Sequence, residues 1–115
     1  MSTTYQMTRA YTAAQNLRGL REQEADLFLR ANAALRQSRE GGQVARVRAL
    51  SDTSRLWGAV IDIVRDPENA LPDTLKASIV SVGRAVQREI EQDNPDVDFL
   101  LAVNADLAAG LGAKP

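Results

Sequence analysis

The residues best suited to chemistry lie in one acidic stretch near the middle of the chain. It holds four carboxylates and one amide: Asp62, Asp66, Glu68, Asn69 and Asp73. Oxygen ligands of this kind suit a calcium ion, but the EF-hand pattern requires acids at alternate loop positions, a central glycine and a final glutamate. The segment 66–72, DPENALP, has no glycine and a different order of acids. We therefore predict no metal site here.

The chain has neither histidine nor cysteine. Their absence excludes Ser-His and Cys-His nucleophile pairs, HExxH and thiolate zinc sites, and disulfide bonds. Acid-base or nucleophilic chemistry would fall to carboxylates, lysine, tyrosine and serine. We therefore expect no catalytic residue, no cofactor and no enzymatic activity.

A structural role explains the acidic stretch more simply. Asp66 and Asn69 can accept hydrogen bonds from backbone groups of their own turn. Pro67 and Pro72 each fix one φ angle, and Leu71 can be buried beneath the turn. These features predict a tight corner between two helices, with a partner-contact surface built on the corner as the alternative.

Trp57 is the only tryptophan and lies in the most apolar part of the sequence. A residue of this size is typically a core anchor whose indole N–H needs a hydrogen-bond partner. The alternative is that it lines a groove for another protein, since tryptophan is also common at protein interfaces. The sequence alone leaves both roles open.

Six arginines form a basic region in the first half of the chain: Arg30, Arg36, Arg39, Arg46, Arg48 and Arg55. Guanidinium groups bind phosphate well, so an RNA contact is one interpretation of this region. No aromatic residue is interleaved there to stack on bases, which favours a solvated face instead.

The elements that carry these residues are helices. Of the 115 residues, 44% are hydrophobic and 25% are charged, which is typical of one soluble globular domain. Apolar residues recur at spacings of three, four and seven, and no segment alternates with the period of two that a strand requires. The predicted helices cover about 20–39, 43–65, 72–92 and 95–110.

Glycine and proline mark the helix ends. Gly41-Gly42 is expected to end the first helix, since glycine tolerates a left-handed turn. The second helix should stop before Pro67, and the fourth should begin with Asn94 as its N-cap and Pro95 beside it. The predicted apolar side of the second helix is Val47, Leu50, Ser54, Trp57, Ile61 and Val64. That of the third is Leu75, Ile79, Val82, Val86 and Ile90.

Together these features predict an all-α fold, a small antiparallel bundle of about four amphipathic helices. The helical domain should span 19–112, and residues 1–18 should form a weakly ordered tail or a short helix. No apolar run reaches the roughly 18 residues needed to span a bilayer, and the polar start lacks the plan of a secretory signal. We therefore expect a cytoplasmic protein without membrane insertion.

Several motifs resemble those of a known family. They are LWGA at 56–59, Asp62, DPENALP at 66–72, LKA at 75–77 and IVSVG at 79–83. In this order they resemble the FlaF family of flagellar biosynthesis regulators, and the likeness covers most of the region 21–86.

The resemblance implies a small cytoplasmic protein that acts on flagellin, as a secretion chaperone or a regulator of flagellin synthesis, beside the regulator FlbT. The terminal helices of flagellin are long, amphipathic and prone to aggregate when exposed. An apolar groove in a helical bundle can cover such a face without any reaction. We expect this groove to be formed or supported by residues around the corner: Trp57, Val60, Asp62, Asn69, Leu71, Pro72 and Val82.

Two alternatives remain open from the sequence. One is a post-transcriptional regulator that contacts flagellin mRNA through the basic region. The other is a helical adaptor that bridges flagellin and FlbT.

Overall fold

The computed structural model describes residues 25–111 of the chain. Helix α1 occupies 25–38, α2 Gly42–Arg65, α3 Asp73–Ile90 and α4 Val97–Leu111. No residue between 25 and 111 is in a β-strand, and the predicted all-α fold is confirmed. The helices α2 and α3 begin and end within two residues of the predicted bounds. The prediction for residues 1–18 lies outside the described residues.

The break between α1 and α2 falls at the two predicted glycines. α1 ends at residue 38, and Gly42 has a φ of +89°, in the left-handed region that favours glycine. A Cβ atom at Gly41 would lie 3.0 Å from the Cβ of Ala45. The chain therefore reverses within a few residues because both positions lack a side chain.

The start of α4 differs from the prediction. The sequence pattern favours Asn94 as the N-cap, but Asp96 takes this role: its Oδ1 accepts a hydrogen bond from the N–H of Phe99 at 3.0 Å. The carbonyl of Asp96 accepts from the N–H of Leu100 at 3.2 Å, and its own N–H donates to Glu89 Oε2 of α3 at 2.8 Å. The prediction was wrong because a cap at Asn94 would place Asp96 inside the first turn and lose these bonds.

Helices α2 and α3 lie side by side in opposite directions. Ser54 of α2 is next to Gln87 of α3, whereas Trp57 and Ile61 are next to Gly83. Residue numbers rise along α2 as they fall along α3, so the pair is antiparallel. The short link between them leaves no room for a parallel arrangement.

Helix α4 completes an up-and-down bundle. It is antiparallel to α1, because Asn104 is bonded to Asn32 whereas Asp98 pairs with Arg39. It is also antiparallel to α3, since the first residues of α4 are bonded to the last turn of α3 through the contact of Asp96 described above. The four helices thus alternate in direction around one core.

The core is mainly aliphatic, with one phenylalanine and the tryptophan. Its buried cluster comprises Phe28, Leu35, Ala49, Trp57, Val60, Val64, Val86, Leu100 and Ala108. On the predicted apolar side of α2, one residue is exposed rather than buried, because Val47 is 57% exposed. Thr53 is buried on α2 instead, and its hydroxyl donates to the carbonyl of Ala49 at 2.9 Å. The prediction was wrong because it assumed that the large apolar side chains of α2 are the buried ones. In this part of α2 the buried residues are small, and the hydroxyl of Thr53 can be buried because it is hydrogen-bonded within the helix.

Gly83 determines how closely α3 approaches α2. A Cβ atom at this position would lie 2.9 Å from Trp57 Cε3 and 2.9 Å from Ile61 Cδ1. Both distances are too short for ordinary van der Waals contact. The glycine therefore lets the backbone of α3 pack directly against the tryptophan ring.

Candidate protein-binding groove

Trp57 lies at the centre of the bundle and contacts the other three helices. Its ring meets that of Phe28 on α1 edge to face, with centroids 5.2 Å apart and an interplanar angle of 70°. The backbone of Gly83 on α3 packs against the indole ring near its Cε3 atom. Its indole N–H donates to Asn104 Oδ1 on α4 at 2.8 Å. The side chain of Trp57 therefore occupies a core position, and it also forms the floor of the groove described below.

The bond to Asn104 belongs to a chain of buried hydrogen bonds. Asn104 Nδ2 donates to Asn32 Oδ1 at 3.0 Å, and Asn32 Nδ2 donates to the carbonyl of Leu101 at 3.0 Å. Trp57, Asn104 and Asn32 are all almost completely inaccessible to solvent. We call these three side chains the Trp-Asn-Asn relay, and it ties α2, α4 and α1 together through satisfied polar groups.

Sequence reasoning missed both asparagines of the relay. A signal was present, because each one occupies a core position of its helix. Asn32 lies four residues after Phe28 and three before Leu35, while Asn104 lies four residues after Leu100. Polar residues on an apolar face predict a buried hydrogen bond, but the pattern does not name the partner.

A groove opens between α3 and α4 beside the tryptophan. It has a volume of about 310 Å³ and is lined by Trp57, Ser78, Ile79, Val82, Val103, Asp106 and Leu107. Five of these seven side chains are apolar. We call this surface the α3–α4 groove.

Exposed apolar side chains also lie outside the lining of the α3–α4 groove, on the same sides of the two helices. Val82 is 41% exposed, and Leu75, which lies seven residues before it on the same side of α3, is 44% exposed. On α4, Phe99 precedes Val103 by four residues and is 38% exposed. The sequence predicted Leu75 and Val82 on the apolar side of α3, but this side is only partly covered by α4. Several apolar side chains on this side of α3 are therefore open to solvent.

The structure brings only two of the seven predicted site residues into this groove, Trp57 at its floor and Val82 at its edge. Val60 is buried in the core, and Leu71 packs against the core from the corner. The exposed Asp62 does not line the groove.

The other two, Asn69 and Pro72, belong to the corner between α2 and α3. Asn69 Oδ1 accepts from the N–H of Leu71 at 2.9 Å, and Asp66 Oδ1 accepts from the N–H of Glu68 at 2.8 Å. The carbonyl of Pro72 accepts from the N–H of Lys76 at 2.9 Å, which forms the first turn of α3. The acidic stretch thus forms the backbone hydrogen bonds that the sequence suggests. Within residues 25–111, no group of three or more acidic side chains converges as metal ligands.

A second apolar depression follows the seam between α1 and α2. Part of it is lined by Leu27, Arg30, Ala31, Ala34, Asp52, Arg55 and Leu56. Its charges are paired locally, because Arg30 Nε lies 3.0 Å from Asp26 Oδ2 and Arg55 Nη2 lies 3.5 Å from Asp52 Oδ1. Since Arg39 also pairs with Asp98 of α4, three of the six arginines in the basic region have a carboxylate partner.

The fold and the groove define a small all-α bundle protein with an apolar surface open to solvent. The family model described as flagellar protein FlaF matches residues 6–111. The chain belongs to this family and is a flagellar protein, which confirms the resemblance seen in its motifs. No curated protein and no solved structure shows significant similarity to it. Among the described helices, none is both long enough and apolar enough to cross a bilayer.

Proposed function

We propose that this protein is a cytoplasmic flagellin-binding chaperone that holds an amphipathic helix of flagellin in the α3–α4 groove and performs no reaction. The observation that carries the proposal is the apolar groove with partly exposed Val82 and Leu75, found in a member of a flagellar family. Helix-in-groove recognition uses apolar anchors on one face of the bound helix. A groove of this chemistry supports that mode.

The energetics agree with a binding role. Full burial of one aliphatic side chain contributes about 1.5–3 kcal/mol, so two or three anchors can offset part of the cost of association. The relay holds α4 relative to α1 and α2, and close packing at Gly83 holds α3 against α2, so both walls of the groove are positioned before the partner arrives. A preformed site loses less conformational entropy on binding.

The proposal is tested by placing a charge in the groove. Val82→Asp should weaken the binding of purified monomeric flagellin by at least about tenfold in isothermal titration calorimetry, because a carboxylate would be desolvated against apolar side chains. Val47→Asp is the matched control, since it makes the same substitution at an exposed valine on α2 that does not line the groove.

Circular dichroism must show that both variants keep the helical content of the wild-type protein. If folded Val82→Asp binds flagellin as tightly as Val47→Asp does, the α3–α4 groove is not the binding surface. If the wild-type protein does not bind flagellin at all, the proposed function is wrong.

A second candidate function is contact with flagellin mRNA, and one observation favours it. Within residues 25–111, Arg36, Arg46 and Arg48 form no ion pair, so their guanidinium groups are open to phosphate. Titration against the 5′ leader at two salt concentrations tests this function. RNA contact predicts an affinity that falls steeply with salt, and absence of binding at low salt would eliminate it.

The adaptor role is a third proposal, in which the protein bridges flagellin and FlbT. Size-exclusion chromatography of the three purified proteins should then give one complex that none of the pairs forms without this protein. Separate elution of FlbT would contradict the bridge and leave flagellin binding unaffected.

A further inference from the structure

The α3–α4 groove carries one charged side chain, Asp106. This carboxylate lies at the edge of the groove, one residue before Leu107 and three after Val103, and is exposed to solvent. In the described part of the chain, Asp106 forms neither an ion pair nor a hydrogen bond through its side chain. The apolar floor therefore has a carboxylate beside it that is available to a cation.

Helix α4, which carries Asp106, has no basic residue between 97 and 111. The last turn of α4 has no basic residue, although the last turns of α2 and α3 contain Arg65 and Arg88. The free carbonyl groups at a helix C-terminus attract a cation in the same way as a carboxylate does. Of the two walls of the groove, α4 has two acidic residues, Asp98 and Asp106, and no basic one, whereas α3 has three basic and two acidic residues. The α4 wall of the groove thus favours a positively charged partner.

We propose that the occupant of the α3–α4 groove is an amphipathic helix whose apolar stripe is flanked by a lysine or arginine that pairs with Asp106. This inference rests on the proposed function and specifies which kind of flagellin helix is bound. Apolar anchors provide most of the affinity, and the charge pair selects the helix and its orientation.

The spacing of the exposed apolar residues on α3 sets the length of the segment that can be bound. Leu75 and Val82 lie on one side of α3 and are separated by seven residues, or about 10 Å along the helix axis. A partner helix therefore needs apolar residues at positions i, i+3 or i+4, and i+7, which is two turns. The basic residue belongs on the flank of this stripe, next to the edge formed by Asp106.

Two synthetic peptides provide the direct test. Each is an alanine-rich helix of about 18 residues with leucines at i, i+4 and i+7 and a single charge on the flank, lysine in one and glutamate in the other. The wild-type protein should prefer the lysine peptide by about two- to fivefold in fluorescence anisotropy, the range expected for a solvent-exposed ion pair. Asp106→Asn should abolish this preference, and Asp106→Lys should reverse it. Sodium chloride at 1 M should remove the preference because it screens exposed charges.

Full-length flagellin distinguishes failure of this inference from failure of the proposed function. If flagellin binds wild type and Asp106→Lys equally and the peptides show no preference, the charge pair is refuted and flagellin binding stands. If flagellin does not bind but the wild type prefers the lysine peptide, the proposed function is refuted and the charge selectivity of the groove stands.

Two further measurements address other sources of the cation. Lys114 of the same chain lies a few residues beyond α4. If Lys114→Ala raises the affinity for the lysine peptide to the same extent that Asp106→Asn lowers it, the chain supplies its own cation and the proposal is wrong. The proposal is also wrong if light scattering shows a wild-type dimer that Asp106→Lys dissociates, because the occupant is then a second copy of this chain.

Discussion

Replacing Asn104 with alanine is expected to destabilise the bundle strongly, although the change removes only a few atoms. Asn104 is the middle member of the Trp-Asn-Asn relay. Its Oδ1 accepts from the indole N–H of Trp57, and its Nδ2 donates to Asn32 Oδ1. The substitution leaves one donor and one acceptor without partners in a region that solvent does not reach.

The magnitude follows from these two orphaned groups. A buried polar group that loses its partner costs about 1–3 kcal/mol, so the two groups orphaned by Asn104→Ala should lower the free energy of unfolding by about 2–6 kcal/mol. This is a large part of the roughly 5–15 kcal/mol that stabilises a typical domain. Asn32→Ala should cost less free energy of unfolding in the Asn104→Ala variant than in the wild-type protein, because the hydrogen bond between the two asparagines is already lost in that variant.

Urea denaturation followed by tryptophan fluorescence measures this effect. Trp57 is the only tryptophan and is buried, so its emission reports directly on the environment of the relay. Asn94→Ala is the matched control, because it makes the same substitution at an exposed asparagine and should change the stability by less than about 0.5 kcal/mol. A loss below about 0.5 kcal/mol for Asn104→Ala, or full additivity with Asn32→Ala, would refute the reasoning about the relay.

Other predictions concern packing and helix capping. Gly83→Ala should lower the stability by up to about 2 kcal/mol, since overpacking against Trp57 outweighs the gain in helix propensity. Gly58→Ala should raise the stability by about 0.5–1 kcal/mol, because its Cβ would lie at an ordinary 3.5 Å from the nearest side-chain atom. Urea denaturation of both variants should show a loss of stability for the first and a gain for the second. A change of the same sign in both would contradict the packing argument. Asp96→Ala should cost about 1 kcal/mol through loss of the N-cap of α4, whereas Asn94→Ala should cost almost nothing in thermal unfolding; the reverse order would restore Asn94 as the cap.

The helices were predictable because their signals are local. Apolar spacing, Gly41-Gly42 and the prolines on either side of the corner defined α2 and α3 to within two residues. The hydrogen bonds of Asn69 were also predictable, since they join residues that are close in sequence. Local rules were insufficient at the start of α4, where the N–H of Asp96 is satisfied by Glu89 from the preceding helix.

The groove could be predicted only in part, because exposure depends on which helices meet. The pattern of α3 places Val82 and Val86 on the same apolar side, but Val86 is buried whereas Val82 is 41% exposed. Asp106 carries no signal in the sequence, since an acid near the end of a helix is usually just solvated surface. Asp106 becomes a candidate binding residue only because the packing of α3 beside α4 places it in the lining of the groove.

Hydrogen exchange of the complex with flagellin tests the central claim most directly. The protein should be purified alone and with flagellin, and the exchange of its backbone amides compared by mass spectrometry. Binding in the α3–α4 groove predicts slower exchange in 75–82 of α3 and 103–107 of α4, with α1 unchanged. Failure to form the complex, or protection confined to the seam between α1 and α2, would contradict the account.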